Sequence, residues 1–307
     1  MKLIKPSFEI IEQQSGLDGL YKQIELAGRT CYKSEDKITE NSAKKFVDRM
    51  IKSGHGAMLE HGTVYLRYDF KAEGDSNSTA YWLWSKYNKN KYSESVQAQP
   101  IPGVPNGFVA ITTNYRVLVE NDWLDDLKYL CEPTEYHKKR VCVRFICDRG
   151  VSHEFVRHRK FSFAQESTRY CNYSKDKFDN ELTYICPCWL DYDRVQELTE
   201  IANRDNKEVY RMGHDESLSM EERGLCSFIY DMSNHEHGYL FQISTGWTPQ
   251  QARAVLPNAL KTELVMTGFI SDWSHFFELR CDSAAHPQAR ELAIPLKEEF
   301  IKRGYEI

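Results

Sequence analysis

Val141-Cys142-Val143-Arg144-Phe145-Ile146-Cys147 alternates in side-chain character and suits a β-strand. Residues 150–159 then lead into Glu154-Phe155-Val156-Arg157-His158-Arg159-Lys160-Phe161-Ser162-Phe163-Ala164-Gln165-Glu166-Ser167-Thr168-Arg169-Tyr170, the densest chemistry in the chain. Arg157, His158, Arg159 and Arg169 are all donors, and guanidinium forks match phosphate oxygens and stay charged at any relevant pH. Ser167 and Thr168 add hydroxyls. The Gln165 carboxamide both donates and accepts, which suits the edge of a uracil-like ring. One segment thus holds the donors for two phosphate groups and a polar base. The plain alternative is a solvated basic stretch pairing with Glu154 and Glu166. A long polyanion track is disfavoured, because the net charge is −5 and no further Lys/Arg runs occur. A small phosphorylated ligand fits better, and no nucleic acid is expected.

Working outward, 307 residues with 41% hydrophobic and 28% charged side chains are ordinary for a globular protein of one large domain or two modest ones. No apolar run reaches the roughly 18 residues a membrane span needs. Met1-Lys2-Leu3-Ile4-Lys5-Pro6 does not open a secretory signal. The nine cysteines are scattered, so a reducing, cytoplasmic setting is expected. Cys186-Pro187-Cys188 lacks a second pair at metal-finger spacing and reads as loop thiols. His235-Glu236-His237 has the wrong spacing for a helical zinc motif and reads as a solvated turn. No metal site is expected.

Residues 40–53 read as a helix ended by Gly54, and Thr63-Val64-Tyr65-Leu66-Arg67-Tyr68 as a strand. Residues 71–108, with Tyr81, Trp82, Trp84, Tyr87 and Tyr92 ahead of Pro100, Pro102 and Pro105, read as an irregular insertion with one short helix. Helices are expected at 121–131, 193–212, 217–233 and 287–303. Thr248-Pro249 starts another, carrying Gln251, Arg253 and Val255 and stopping near Pro257. Ser271 is the expected cap of one bearing Trp273, Phe276, Phe277 and Leu279. No internal repeat occurs. The pattern predicts an α+β protein, with a mixed, largely antiparallel sheet flanked by helices.

Arg157-His158-Arg159, seven further residues, Ser167 and then Arg169 resemble the signature of flavin-dependent thymidylate synthases. Three other stretches resemble family segments in the same order: His55 to His61, ending in Glu60-His61; Ala252-Arg253-Ala254-Val255-Leu256-Pro257; and His275-Phe276-Phe277-Glu278-Leu279-Arg280. The similarity covers most of 30–70 and 140–300. It implies a single domain over 1–307 with an insertion at about 71–140. The insertion's aromatics are expected to pack on the core, the alternative being that they cover the active site. It also implies a homotetramer, with flavin sites built from several subunits.

By the same resemblance the protein makes dTMP from dUMP, with methylenetetrahydrofolate as one-carbon donor, FAD as hydride source and NADPH to reload the flavin. Arg157, His158 and Arg159 inherit the flavin phosphate region, with Arg157 also near dUMP. Glu154, Gln165, Ser167, Thr168 and Arg169 inherit dUMP, Gln165 bordering the flavin as well. Arg253 inherits a nucleotide contact from a neighbouring subunit. His55, Glu60 and His275 line the flavin, and Arg280 is nearest the pyrimidine. No Gly-rich dinucleotide fingerprint follows a strand, so the flavin site is expected to be non-Rossmann. Two departures stand out: Phe269-Ile270-Ser271 where the family often has Asn-x-Arg, and Ala57 where a threonine sometimes stands. Ser167 is the motif's only nucleophile, but its arginine neighbours cannot take its proton, so it is expected to hold dUMP. Arg280 is expected to stabilise charge developing on the pyrimidine. The competing classes are a non-catalytic nucleotide or nucleic-acid binding protein and a flavoprotein reductase of another reaction.

Overall fold

The strand read at 141–147 extends to nine residues, β6 (Arg140–Asp148), in a computed structural model that describes residues 1–71, 76–99 and 106–307. Pro100, Pro102 and Pro105 lie outside the described residues. β6 pairs antiparallel along its whole length with β9 (Lys261–Phe269), from Arg140 opposite Phe269 to Asp148 opposite Lys261. β2 (Ser7–Ile11) and β7 (Ser162–Gln165) complete the sheet, in the order β2-β6-β9-β7.

Alternation decides what covers each face. Val141, Val143, Phe145 and Cys147, with Leu264 and Met266, bury against Trp273, Phe276 and Phe277 of α11 (Ile270–Arg280) and Leu292, Leu296 and Phe300 of α12 (Pro287–Lys302). Cys142, Val265 and Ala164 on the other face meet Ala27 of α1 (Gly16–Tyr32). β9 also needs Gly268, because a Cβ there would stand 2.4 Å from the Phe161 ring.

A second sheet, β3-β5-β4, is built from β3 (Thr63–Lys71), β4 (Glu94–Ala98) and β5 (Asn106–Asn114). It shares a core with α1, with Phe46, Val47 and Met50 of α2 (Ser42–Lys52) and with Ala80, Leu83 and Tyr87 of α4 (Ser76–Asn88). Short α3 (Gly56–Leu59) precedes β3, and α5 (Tyr115–Glu120) follows β5. α6 (Arg149–Phe155) follows β6. A third cluster packs the parallel pair β1 (Lys2–Ile4) and β8 (Thr183–Ile185) against α7 (Tyr192–Arg204), α8 (Asn206–Gly213) and α9 (Met220–Ser244). α10 (Pro249–Ala252) links this cluster to β9. Among the described residues no helix is long and apolar enough to cross a membrane.

The mixed, largely antiparallel sheets flanked by helices match the α+β expectation; several local readings do not. The described residues from 71 to 114 form a 13-residue helix and two strands; of the aromatics at 81–92 only Tyr87 is buried in the sheet-backed core, with Trp84 packed against it, while Tyr81, Trp82 and Tyr92 are exposed. In 121–131 only Leu124–Tyr129 turns, as a 3-10 helix, before Leu130 bridges to Leu66. Residues 193–212 break at Asp205, whose carboxylate accepts from Lys207 N and caps α8. The helix at Thr248 lasts four residues and tightens to a 3-10 turn at Arg253–Val255. Its start is held by Gln251, whose Oε1 accepts from Thr248 N. Ser271 lies inside α11, where Phe269 takes the capping position without a side-chain bond.

His235-Glu236-His237 is not a turn. It sits within α9, where buried Glu236 accepts from the Met1 ammonium at 2.9 Å and from Leu182 N at 2.8 Å. α1, β2 and β9 have no counterpart in the sequence reading.

Candidate functional site

The paired ends of β6 and β9 deliver the central group. Asp148 closes β6 and caps α6, its Oδ1 accepting from Val151 N at 2.7 Å while Oδ2 accepts from Gln288 of α12. α6 then brings Glu154 to its last turn and releases the chain at Arg157-His158-Arg159. From the far end of β9 rises α11. Trp273, Phe276 and Phe277 bury one side of it, while Ser271, His275 and Leu279, four residues apart, line a cleft of about 310 Å3. Arg157, Arg159, Lys160 and Arg280 put four cations into that lining, and Phe161 gives it an apolar ring.

Arg280 is the best-fixed of these. Its Nη1 donates to Glu154 Oε2 at 2.7 Å, its Nη2 to the Glu154 carbonyl at 2.8 Å, and its Nε to His158 Nε2 at 3.0 Å. His158 therefore accepts at Nε2 and keeps its proton on Nδ1. Burial, then the Arg280 charge, then His275 push its pKa down to about 4. The imidazole is thus neutral at physiological pH and acts as a fixed acceptor for Arg280.

A second group lies where β7 ends. Gln165 spends its amide nitrogen inside the protein, on Ser152 Oγ at 2.8 Å and Thr262 Oγ1 at 3.2 Å, leaving its oxygen for a ligand. Ser167 N donates to the Cys31 carbonyl, and the Ser167 hydroxyl accepts from Arg169 N at 3.3 Å. Among the described residues no basic side chain hydrogen-bonds that hydroxyl. Arg253 reaches Thr168 Oγ1 at 3.5 Å within the same chain. Arg169 lies over the Tyr170 ring.

Beneath this loop runs a buried network that sequence reasoning missed. Glu166 accepts from Lys261 and from the Tyr173 hydroxyl, both at 2.9 Å; Lys261 also donates to Glu263 at 2.6 Å, and Lys33 to Glu263 at 2.9 Å. Burial alone would raise the Glu263 pKa, but Lys261 and then Lys33 outweigh it and bring it to about 2. The available signal was Lys261-Thr262-Glu263 opening an otherwise apolar run, which puts both charges on one face of a strand.

His55 and Glu60 form a third group. His55 Nδ1 shares a 3.0 Å hydrogen bond with Tyr32, beside a cavity of about 620 Å3 that Arg29, Arg49, Lys37 and Lys177 also line. Glu60 accepts from Arg116 at 2.6 Å. The Tyr32 and Tyr170 rings, 5.4 Å apart, connect this group to the second. The expected site residues thus stand as three neighbouring groups, of which the cleft unites Arg157, His158, Arg159, His275 and Arg280.

The profile of the family described as thymidylate synthase complementing protein matches residues 137–303. That stretch is more than half of the chain, and the chain belongs to this family. It is 30% identical over 153 residues to the flavin-dependent thymidylate synthase of Mycobacterium sp. (strain KMS), covering 50% of this chain and 54% of that protein. It is 22% identical over 286 residues to the enzyme of that name from Corynebacterium glutamicum, covering 92% of this chain and 76% of that one. The chain spans about half the length of the first of these relatives. A solved UMP/dUMP methylase PolB from Streptomyces cacaoi, bound with 5-Br UMP, aligns over 98% of this chain and 92% of its own, at 12% identity and a TM-score of 0.42, too loose to bear on the fold. The family assignment reached from the four sequence segments agrees with the profile. The profile takes in every expected site residue from Glu154 to Arg280, and leaves out His55, Glu60 and the chain before 137.

Proposed function

We propose that this protein is a flavin-dependent thymidylate synthase, making dTMP from dUMP with methylenetetrahydrofolate as one-carbon donor and NADPH as reductant. The observation that carries the reading is Arg280, fixed by three hydrogen bonds at a cation-lined cleft inside the stretch that matches the family.

The donor set fits FAD. Arg157, Arg159 and Lys160 suit its phosphates, Phe161 and Leu279 offer apolar surface to a flat ring, and His158 and His275 border both. His55 and Glu60 serve the flavin from the third group. When bound, FAD supplies the hydride, and the protein's own part is binding, orientation and electrostatics. Glu154, Gln165, Ser167, Thr168, Arg169 and Arg253 hold dUMP, with Arg157 bridging the two ligands. Arg280 carries a permanent positive charge toward the pyrimidine, where it stabilises the negative charge on the ring and its oxygens that makes C5 nucleophilic toward the one-carbon unit. Glu154 and His158 keep that charge from relaxing away.

The chain acts as one domain with an insertion at about 71–140. Because its site residues stand as three groups along one chain, the reading includes a homotetramer whose sites draw on several copies. A cytoplasmic location goes with it.

The test is a visible spectrum of the purified protein, followed by bleaching with NADPH and a dUMP titration. A yellow protein that NADPH bleaches and dUMP perturbs supports the proposal. A colourless protein with salt-sensitive oligonucleotide binding points to the nucleic-acid reading instead. A flavoprotein indifferent to dUMP points to another reductase.

A further inference from the structure

The seam between the two sheets holds a cation that makes no ion pair among the described residues, Glu60 and Asp272 acting on it only at a distance. Arg140 opens β6 and lies largely buried. Its Nη1 donates to the Glu60 carbonyl at 3.1 Å and to Thr63 Oγ1 at 3.2 Å, and its Nη2 to Ser162 Oγ at 3.3 Å. All three acceptors are neutral, and among the described residues no carboxylate stands within ion-pair distance of it. A buried guanidinium without an anion is costly, and neutral hydrogen bonds compensate only part of that cost.

Arg140 lines a cavity of about 210 Å3 that shares no lining residue with the Arg280 cleft. Other features of the wall favour negative charge there. Lys139 adds a second cation. Ser15 and Gly16, at the start of α1, also line it, and Ser15 gives its hydroxyl to Glu132 instead of capping the helix. His61, wholly buried, bonds Thr267 Oγ1 through Nδ1 at 2.8 Å, and its Nε2 makes no hydrogen bond of good geometry, although the Phe163 carbonyl lies near enough to favour a proton on the ring. Buried Gln23 completes the polar wall. Of the two acidic residues at the rim, Glu12 pairs with Arg303 at 2.7 Å, while Glu132 accepts from Ser15 of the same wall at 3.0 Å, which places its carboxylate at the helix start and leaves Arg140 as the anchor for an added anion.

We propose that this cavity is a second anion site, taking a tetrahedral oxyanion of phosphate or sulfate size on the Arg140 guanidinium. The volume holds such an ion with several waters, each of which occupies about 30 Å3 in the liquid. Arg140 also grips Glu60 and Thr63 on either side of the turn into β3, so an anion there ties β3, the strand that leads into the insertion, to the core sheet.

The test locates the ion directly. Crystals of the full chain grown with selenate should show an anomalous selenium peak within hydrogen-bonding distance of Arg140. Peaks confined to the cleft of Arg157 and Arg159, or no peak at all, overturn the proposal. In solution, the sulfate Kd obtained by fitting the logarithmic rise of melting temperature with sulfate concentration should increase about tenfold or more in Arg140→Met, equivalent to losing one charge-assisted bond. Should Arg140→Met not fold, Arg140→Lys keeps the charge, loses the fork, and should show a smaller increase. An unchanged sulfate response in the folded variant also overturns the site.

Discussion

Two antiparallel pairs of nine residues organise this molecule, and they are put to different uses. β6 and β9 pair from Arg140–Phe269 to Asp148–Lys261; β3 and β5 pair from Thr63–Asn114 to Lys71–Asn106. The first pair is covered on both faces, and β9 is buried at every interior position. The second loses cover toward its far end, where Asp69 and Lys71 are exposed. The difference lies in what hangs from the ends. β6 and β9 run out into α6 and α11, whose tips meet as Glu154, His158 and Arg280. β5 runs out into α5, which places Arg116 on Glu60. The covered pair thus aims a charge, while the more open pair reaches the candidate site through one half-buried ion pair. Sites on stiff elements hold their geometry best.

The sharpest way to break this comparison is at Arg280. Arg280→Ala should abolish detectable dTMP formation while FAD stays bound, as read from the flavin absorbance of the purified variant. Arg280→Lys retains the charge but cannot bond Glu154 and His158 together, and should lose about 100-fold or more in kcat, on the scale of removing one transition-state donor. Retained turnover in either variant would remove Arg280 from its catalytic role.

The next effect concerns what lies under the Ser167 loop. Lys261→Met leaves Glu166 and Glu263 buried with only Lys33 and the Tyr173 hydroxyl for company. Breaking a buried pair by removing one partner costs about 3–5 kcal/mol, and urea melts should show a loss of that order. A near-neutral result would mean that water enters the network, and that the core pair is less closed than its burial indicates.

Much of the site was legible in the sequence because its segments are local. Arg157-His158-Arg159, Ser167, Arg169, Arg253 and Arg280 all lie on short stretches whose residue types declare a use. α2, β6 and α12 were legible from periodicity. The remainder depended on distant partners. β9 begins with Lys261 and Glu263, which read as surface until Lys33 and Glu166 are seen beside them. Glu236 read as solvated because its partners, the Met1 ammonium and Leu182 N, are far away in the chain. The segment 81–92 read as irregular because the sheet that Tyr87 and Trp84 pack on is completed only by residues beyond 105, while Tyr81, Trp82 and Tyr92 stay exposed.

Acid provides a graded test of the same contrast. His61 and His158, both at the core sheet, have pKa values pushed down by burial to about 3 and about 4, against about 6.5 in an unfolded chain. A depressed folded value means that the unfolded state takes up the proton first. The stability these rings contribute is therefore whole above about pH 6.5 and is lost as pH falls through the folded values, at about 1.4 kcal/mol for every pH unit of the gap. Glu263, brought to about 2, adds a further loss that begins only below about 4.5. Urea midpoints should fall from pH 6.5 downward, and His61→Gln should flatten the slope between pH 6 and 4. An unaltered slope would assign the acid sensitivity to other groups.

The smallest effect is expected on β3. Arg67 forks onto Asp69 at 2.9 and 3.1 Å, and its guanidinium lies over the Phe108 ring, but the Asp69 side chain is 62% exposed. The guanidinium also lies over the Tyr136 ring, and an ion pair open to solvent on its carboxylate side with two such ring contacts is worth about 1 kcal/mol. Arg67→Ala should therefore lower the melting temperature slightly and leave kcat and KM for dUMP unchanged. The charge types are the same as in the Lys261 network; burial alone separates them, and it sets the ratio of the two stability losses. Equal losses from Arg67→Ala and Lys261→Met would show that the far end of β3 is as tightly coupled to the fold as the core pair. The open end of β3 would then have to be closed in the assembled protein, by a surface that a single chain does not supply.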